Sequence, residues 1–286
     1  MGAINRREFL LAGAGLALAA ACGSKGGDDD VVAKVTDPSG KKAAQSVNLV
    51  VASYFHVAGI DERVTAAVLN DEATGPVALD GPLEFTIDGQ PVESTIHQDG
   101  TPLPYALIRH RFEEPGVVEL GVSFKGLPGK AALQVSDPAD MPVPFPGKAM
   151  ISTPSPTAAA TLGVDPICTA DPPCPLHDVS LDAALTERRP LAVLFSTPAR
   201  CQSRFCGPVL DTLLAHRDAF GDRVRFLHVE IYEARAGEDL APTVTAYGLS
   251  LEPVLFLSGA DGIVRDRLDN AYDRIEATAA LQRLVG

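Results

Sequence analysis

The sequence predicts a chain of two folded parts, an all-β sandwich followed by an α/β domain. Residues 46–138 carry short runs rich in β-branched and aromatic residues with turn residues between them, which is typical of antiparallel strands. In residues 178–286, helical and strand patterns alternate, as they do in α/β domains. The passage between them, 139–177, is rich in proline. Because proline fixes φ and lacks an N–H donor, we predict a semi-rigid linker there.

The composition excludes one class of partner. The 286 residues are enough for two domains and a tail. Lys and Arg total 24 against 37 Asp and Glu, which gives a formal net charge of −13. A protein that binds nucleic acid needs a basic face to neutralise phosphates, so we predict no nucleic-acid partner.

The amino terminus has the pattern of an export signal. Arg6 and Arg7 precede a short apolar run, 9–21, which as a helix spans ~20 Å and is too short to cross a hydrocarbon core of ~30 Å. The Arg-Arg-x-Phe-Leu sequence resembles the twin-arginine signal, which exports folded proteins, and we assign residues 1–21 to a signal peptide. The alternative is that both arginines form the basic region of a general secretory signal.

The end of this segment resembles the lipobox of bacterial lipoproteins, with Leu-Ala-Ala-Ala-Cys-Gly at residues 18–23. The resemblance implies cleavage before Cys22 and lipidation of its sulfur, which would anchor the protein to the cell membrane at its extracytoplasmic face. Residues 22–45 begin with Gly, Ser and Asp and predict a flexible tether. The alternative is ordinary signal cleavage after small residues, with Cys22 an incidental thiol.

Seven short strands are predicted in the first folded part. Asp88-Gly89 predicts a hairpin turn, because these residues tolerate the positive φ that tight hairpins need. Seven strands in about 90 residues resemble the immunoglobulin-like sandwich in architecture. The inter-sheet disulfide of antibody domains is missing, since this part contains no Cys. The predicted strands are 47–53, 63–69, 83–87, 92–96, 105–112, 117–124 and 131–135.

The second part is predicted to have the order β-α-β-α-β-β-α from residue 191 onward. The run 191–195 is apolar throughout, as expected for a buried central strand. Thr197-Pro198 predicts the start of the next helix, because Thr is a good N-cap and Pro fits the first helical position. The remaining strands are predicted at 224–231, 254–257 and 263–268, and the remaining helices at 242–247 and 271–285.

This order of elements, together with the segment 247–257 around Glu252-Pro253, resembles the thioredoxin fold. The resemblance implies that the Glu252–Pro253 peptide bond is cis and that Pro253 faces the active cysteines. It also implies a redox site directly after the central strand, where Cys201 and Cys206 stand.

The spacing of these cysteines, with four residues between them, is similar to that of the bacterioferritin-comigratory type of peroxiredoxin, which also has Thr-Pro shortly before its first Cys. Carried over, Cys201 is the attacking thiolate and Cys206 the resolving thiol. Pro198 stands where those enzymes have Thr or Ser to bind peroxide, so the motif favours dithiol chemistry over peroxidase activity.

Physical arguments also indicate a reactive Cys201. If Thr197 caps the helix, Cys201 lies in or just past its first turn, near free N–H groups and the positive end of the helix dipole. Arg200 and Arg204 add positive charge that favours the thiolate. Residues five apart on an ideal helix have Cα atoms ~8–9 Å apart, so a disulfide with Cys206 requires local unwinding.

A second cysteine pair, Cys168 and Cys174, predicts a small structural disulfide in an exported protein. The alternative is a relay in which one of them exchanges with the other pair. A zinc or copper site is a further alternative, with His177 as its best additional ligand. Neither pair has the Cys-x-x-Cys spacing of zinc knuckles, and His216 and His228 fall in a helix and a strand, so we predict no metal and no cofactor.

These observations predict an exported, membrane-anchored thiol–disulfide oxidoreductase whose partners are protein thiols and disulfides or a redox partner protein. Two alternatives stay open. One is a non-catalytic cell-surface module in which the disulfides are structural. The other is a copper chaperone similar to the Sco type, which has the same fold, a Cys pair and a distant His.

Overall fold

A computed structural model describes residues 46–69, 75, 77–201 and 203–286. The predicted signal peptide with Arg6 and Arg7, the lipidation of Cys22 and the tether lie outside these residues. Within them the chain is mostly β, with thirteen strands and four helices. None of the helices in these ranges is long and apolar enough to span a membrane.

Nine strands form two sheets that face one another as a sandwich. One sheet has the order β1-β3-β7-β6 and the other β2-β9-β8-β4-β5, and every pairing is antiparallel except that of β2 with β9. The strands are β1 (Asn48–Val51), β2 (His56–Val57), β3 (Asp61–Leu69), β4 (Leu83–Ile87), β5 (Gln90–Val92), β6 (Thr95–His97), β7 (Tyr105–Arg111), β8 (Gly116–Phe124) and β9 (Leu127–Ser136).

The sandwich core is built from alternate residues of both sheets. Val64 and Ile108 from the first sheet pack with Phe85, Leu120 and Leu133 from the second, and all five are almost completely buried. This alternation places one face of each strand in the core, where burial contributes ~25 cal/mol per Å² of apolar surface.

The structure confirms one predicted feature of the sandwich and changes another. The predicted Asp88-Gly89 turn is confirmed, with φ of 46° and 76° at its two residues, and it joins β4 to β5. The single strand predicted at 92–96 is wrong, because the chain crosses there from one sheet to the other and forms β5 and β6 instead.

The C-terminal part holds a four-stranded mixed sheet of order β11-β10-β12-β13. β10 is parallel to β11 and antiparallel to β12, which is antiparallel to β13. The predicted order β-α-β-α-β-β-α is confirmed, and it is preceded by a short helix that was not predicted. The elements are α1 (Leu181–Thr186), β10 (Leu191–Phe195), α2 (Cys206–Phe220), β11 (Arg225–Val229), α3 (Pro242–Ala246), β12 (Val254–Ser258), β13 (Val264–Asp269) and α4 (Arg274–Val285).

Both faces of this sheet are covered, which explains why its central strands are apolar throughout. On one face, Ala192 and Leu194 pack with side chains of α2 and α4, such as Leu213 and Leu281. On the other face, Leu191, Val193 and Phe195 belong to a second cluster that includes residues of α1 and α3.

The segment predicted as a linker is part of this second cluster. Val143, Met150 and Val164 are buried in it beside the sheet, and the backbone N–H groups of Gly147 and Met150 donate to the carbonyl oxygens of Val264 and Gly262. Proline keeps the passage extended, but its apolar side chains cover a sheet face. The expectation of a semi-rigid spacer is therefore wrong for this stretch.

Buried polar contacts join the sandwich to the α/β part. Arg63 of β3 donates to both carboxylate oxygens of Glu276 on α4, at 2.5 and 2.7 Å, and to the carbonyl oxygens of Asp269 and Ala271. The Tyr105 hydroxyl of β7 donates to the same carboxylate at 2.5 Å. Because every group is hydrogen-bonded, the charges are tolerated away from water.

Candidate functional site

The predicted cysteine pair lies where β10 passes into α2. Cys206 is the first residue of α2 and is fully buried, whereas Cys201 stands in the preceding loop and is partly exposed. The helix therefore starts later than the Thr197-Pro198 pattern predicts. Arg204 has a φ of 65°, in the left-handed region, so a right-handed helix cannot extend back across it.

Thr197 does not cap the helix. Its backbone carbonyl accepts a hydrogen bond from the Arg200 N–H at 3.1 Å, which closes a separate turn before Cys201. Its hydroxyl is buried and has no hydrogen-bond partner within the described part of the chain. The prediction that Thr197 begins the helix and so places Cys201 in its first turn is wrong.

The loop still brings the Cys201 sulfur to the start of α2. The Cys206 backbone N–H donates to Cys201 Sγ at 3.1 Å, and the Ser203 hydroxyl lies 3.3 Å from the same sulfur. Since Cys201 lies outside the helix, the expected unwinding is unnecessary for the two sulfurs to meet.

The surroundings of the two cysteines shift their pKa values in opposite directions. The hydrogen bond from the Cys206 thiol, with further bonds from Ser203 and from the backbone of Cys206 and Phe205, lowers the pKa of Cys201 to about 5, although burial acts against it. Burial raises the pKa of Cys206 far above the ordinary range, and the Cys201 charge raises it further. At neutral pH, Cys201 is a thiolate and Cys206 is a thiol.

Arg200 and Arg204, the two cations predicted to stabilise the Cys201 thiolate, do not donate any of the hydrogen bonds to its sulfur. The Arg200 guanidinium lies 4.0 Å from the centre of the Tyr232 ring and donates to the carbonyl oxygens of Ala234 and Gly237. Arg204 is exposed at the positive-φ position of the loop. The hydrogen bonds that lower the pKa of Cys201 come from neither arginine, so their role stays a prediction.

The loop before β12 contains the predicted cis-proline segment, Glu252-Pro253. The predicted cis peptide bond between Glu252 and Pro253 is confirmed. The Glu252 charge contributes to raising the pKa of Cys206.

Tyr54, which extends from the sandwich to the loop at Glu252-Pro253, is not predicted as a site residue by any sequence motif. Its hydroxyl donates to the Glu252 carbonyl oxygen at 3.3 Å. Burial and the charges of Asp269, Cys206, Glu252 and Cys201 raise its pKa, so the phenol stays protonated. A residue 147 positions away from Cys201 is thus part of its surroundings only because the sandwich packs against the α/β part.

The second cysteine pair forms a separate buried cluster. Cys168, Cys174, His177 and His228 are all buried, and one candidate ligand atom from each lies within 4.8 Å of the other three. His228 Nδ1 is 3.4 Å from Cys174 Sγ and 3.7 Å from Cys168 Sγ, and His177 Nε2 is 3.2 Å from Cys174 Sγ. Both cysteines are free thiols rather than the predicted structural disulfide.

The prediction from sequence does not include this cluster, because it excludes His228 as a strand residue. In β11, Leu227 and Val229 face the cluster that contains α1 and α3, so His228 between them points to the opposite face, where Cys168 and Cys174 lie. The two-residue period of a strand carries this signal, because it places His228 on the same face as Phe226, which packs in that cluster. Inside the cluster, a hydrogen bond from the Cys174 thiol lowers the pKa of Cys168, and the same bond raises the pKa of Cys174.

Comparisons with known proteins assign no family. No protein-family model matches the chain, and no curated protein matches it. Among solved structures, it is similar to a thioredoxin-family thiol:disulfide interchange protein from Chlorobium tepidum TLS, with 14% identity, a TM-score of 0.33, and coverage of 50% of this chain and 97% of that chain.

Two small domains are also similar to it. The Lin-41 filamin domain has 16% identity and a TM-score of 0.23, and the match covers 33% of this chain and 95% of that one. The PKD domain of human SorCS2 has 18% identity and a TM-score of 0.19, and the match covers 43% of this chain and 98% of that one. The neighbours therefore include a thioredoxin-family protein and immunoglobulin-like domains, at scores too low to assign a function.

Proposed function

We propose that this protein is a thiol–disulfide oxidoreductase that uses Cys201 and Cys206 on a thioredoxin-like domain. The observation that carries the proposal is the pairing of a partly exposed Cys201, whose pKa is lowered to about 5, with a fully buried, protonated Cys206. Thiolate character and access are the two properties that make a cysteine reactive in exchange.

The burial of the two sulfurs sets the order of the steps. The Cys201 thiolate attacks one sulfur of a substrate disulfide, which forms a mixed disulfide and releases the other substrate sulfur as a thiolate that takes a proton from water. Cys206 then loses its proton and attacks the Cys201 sulfur, and the first substrate sulfur leaves as a thiol. The substrate disulfide is reduced to two thiols, while Cys201 and Cys206 are oxidised to a disulfide.

The same hydrogen bonds serve the return step. An external dithiol of a redox partner must reduce the Cys201–Cys206 disulfide, and the Cys206 N–H and the Ser203 hydroxyl stabilise the Cys201 thiolate as it leaves. A thiol with a low pKa is a good leaving group, so both directions are accessible. Leu251, an exposed apolar side chain beside Glu252-Pro253, offers the partner an apolar contact.

Trapping of the mixed disulfide tests the proposal. The Cys206→Ser variant of the full chain should accumulate a covalent adduct with a disulfide-bonded test protein such as insulin, because its Cys201 can attack but the adduct cannot be resolved. The Cys201→Ser variant should form no such adduct and should lose more than a hundredfold of the insulin-reduction rate. If Cys201→Ser reacts as fast as the wild type, Cys201 is not the nucleophile and the proposal fails.

We also propose that the chain is exported and held at the extracytoplasmic face of the cell membrane by lipid on Cys22. The lipobox resemblance at residues 18–23 supports this, since two or three acyl chains anchor a protein stably. Labelling of cells with a radioactive fatty acid should mark the wild-type chain and leave the Cys22→Ala variant unmarked. Equal labelling of both would exclude Cys22 as the lipid attachment site.

A further inference from the structure

We propose that Cys168, Cys174, His177 and His228 bind a structural Zn²⁺ ion. The four side chains come from two parts of the chain, the segment 168–177 and strand β11, and they converge on one point in the core beside α2. Two thiolates and two imidazoles are a common ligand set for zinc.

Three separations between sulfur and nitrogen ligand atoms fit tetrahedral coordination. Bond lengths of ~2.3 Å from zinc to sulfur and ~2.0 Å from zinc to nitrogen place S and N ligands ~3.5 Å apart at tetrahedral angles. The observed separations are 3.2 Å for Cys174 and His177, 3.4 Å for Cys174 and His228, and 3.7 Å for Cys168 and His228. These values bracket the expected one.

Neighbouring groups orient the ligands as an outer shell does in metal sites. His228 Nε2 lies 2.9 Å from the Ser196 hydroxyl and 3.1 Å from the Ser196 carbonyl oxygen. A proton on Nε2 that is donated to this carbonyl leaves the lone pair on Nδ1, the atom that faces both sulfurs. The Cys174 backbone N–H donates to Cys168 Sγ at 3.3 Å, which favours a thiolate there.

The charge of the loaded site suits its burial. In the loaded site both cysteines are thiolates, and their two negative charges balance the charge of Zn²⁺, so the cluster is neutral with its imidazoles uncharged. All four positions are filled by buried side chains, which corresponds to a closed structural site rather than a catalytic one.

A disulfide between Cys168 and Cys174 explains the geometry less well. It would leave His177 Nε2 and His228 Nδ1 facing sulfurs that offer only weak acceptors, and buried polar atoms without good partners are costly. Zinc gives both nitrogens a ligand bond.

The site is also hydrogen-bonded to the segment 196–199, which leads from β10 to Cys201. Thr169, next to Cys168, accepts a hydrogen bond from the Ala199 N–H at 3.2 Å, and Ser196 on the other side holds His228. Zinc would therefore fix the strand end and the turn that lead to Cys201, without contact with the reacting sulfur.

Metal content of the full chain tests this inference. The protein is purified with a thiol reductant, supplied with Zn²⁺ and freed of unbound metal. It should then retain one zinc per chain, as measured by inductively coupled plasma mass spectrometry. The control Cys201→Ser/Cys206→Ser should retain the same amount, because the redox pair takes no part. The Cys168→Ser/Cys174→Ser variant should lose it.

A second readout on the wild type does not depend on whether a variant folds. Titration with Co²⁺ alone should produce the strong visible absorption of tetrahedral cobalt and a thiolate-to-cobalt charge-transfer band, and Zn²⁺ should remove both. The inference is overturned if reduced wild-type protein takes up neither metal, or if the metal is lost in the Cys201→Ser/Cys206→Ser control.

Discussion

The Cys201 sulfur accepts hydrogen bonds from its own chain neighbours, and these bonds set its charge at neutral pH. The largest contribution comes from the Cys206 thiol, followed by the Ser203 hydroxyl and the backbone N–H groups at the start of α2. From the sequence, a low pKa of Cys201 is predicted on the basis of a helix turn and two arginines. The structure reaches it by placing the sulfur of a loop residue in front of the first helical N–H groups, which carry the positive end of the dipole.

This arrangement predicts the pH dependence of Cys201 alkylation. Because iodoacetamide reacts with the thiolate, the alkylation rate of the reduced protein should rise with a midpoint near pH 5, the pKa of Cys201, and stay level from pH 6 to 8. Removal of the main donor in Cys206→Ala should move the midpoint upward toward the ordinary thiol value of ~8.5, and Ser203→Ala should move it less. Peptide mass spectrometry identifies the alkylated residue, and a wild-type midpoint near 8.5 would contradict the assignment of the thiolate.

At the scale of elements, the start of α2 depends on one backbone angle. Arg204, at φ 65°, reverses the chain so that Cys206 can open the helix while Cys201 folds back over its end. A residue with a Cβ in this region costs ~1–2 kcal/mol, and glycine avoids that cost.

We therefore expect Arg204→Gly to stabilise the folded protein by about 1 kcal/mol in urea unfolding and to leave the midpoint of Cys201 alkylation unchanged. Arg204→Ala is the matched control, since it removes the same charge, keeps the Cβ and should give no such gain. An upward shift of the alkylation midpoint in both variants would instead show that the Arg204 charge stabilises the thiolate.

Some of the elements could be predicted from local sequence patterns, and others could not. Local signals predicted the Asp88-Gly89 hairpin and the strands at 191–195 and 254–257, because turn chemistry and continuous apolar runs act within a few residues. The crossing between β5 and β6 has no such signal, since it follows from the packing of two sheets.

The candidate sites divide in the same way. Cys201 and Cys206 are neighbours in sequence and could be paired by inspection. His228 and Cys174 are 54 residues apart in sequence, so their contact depends on the tertiary fold. Tyr54 lies near the Cys201–Cys206 pair only because the sandwich packs against the α/β part.

At the scale of the whole molecule, the junction of the two parts is charged and buried. Arg63 and Glu276 are each nearly free of solvent, and the Glu276 carboxylate also accepts from Tyr105. Burial opposes ionisation of Glu276, but the Arg63 charge and the hydrogen bonds outweigh it and lower the pKa of this carboxyl. The two parts are therefore expected to unfold together in one transition.

The variant Glu276→Gln tests this junction. It should lower the free energy of unfolding by about 3 kcal/mol or more, because Arg63 keeps its charge in a buried place without its counter-ion. Glu119→Gln removes the exposed partner of Lys130 and should change stability by less than about 1 kcal/mol. Urea unfolding followed by circular dichroism measures both, and equal effects of the two variants would exclude a special role for the buried pair.

A second junction carboxyl, Glu62 of β3, has the opposite pH behaviour. It accepts a hydrogen bond from the Val57 N–H at 2.8 Å, but burial raises its pKa to about 7, against the attraction of Arg267. A carboxyl with a raised folded pKa binds its proton more tightly in the folded state. Its contribution to stability is therefore complete below the unfolded value of ~4.3 and is lost as the pH rises through 7.

Glu62→Gln removes this titration and keeps a carbonyl oxygen for the Val57 N–H. The difference in unfolding free energy between Glu62→Gln and the wild type should grow in favour of the variant as the pH rises from 4.5 to 7, by roughly 3 kcal/mol, and then stay level to pH 9. Groups such as His56 and Glu276 titrate in both proteins, so they cancel in this difference. A difference that is constant with pH would mean that Glu62 titrates as an ordinary exposed carboxyl and that water reaches the junction between the sandwich and the α/β part.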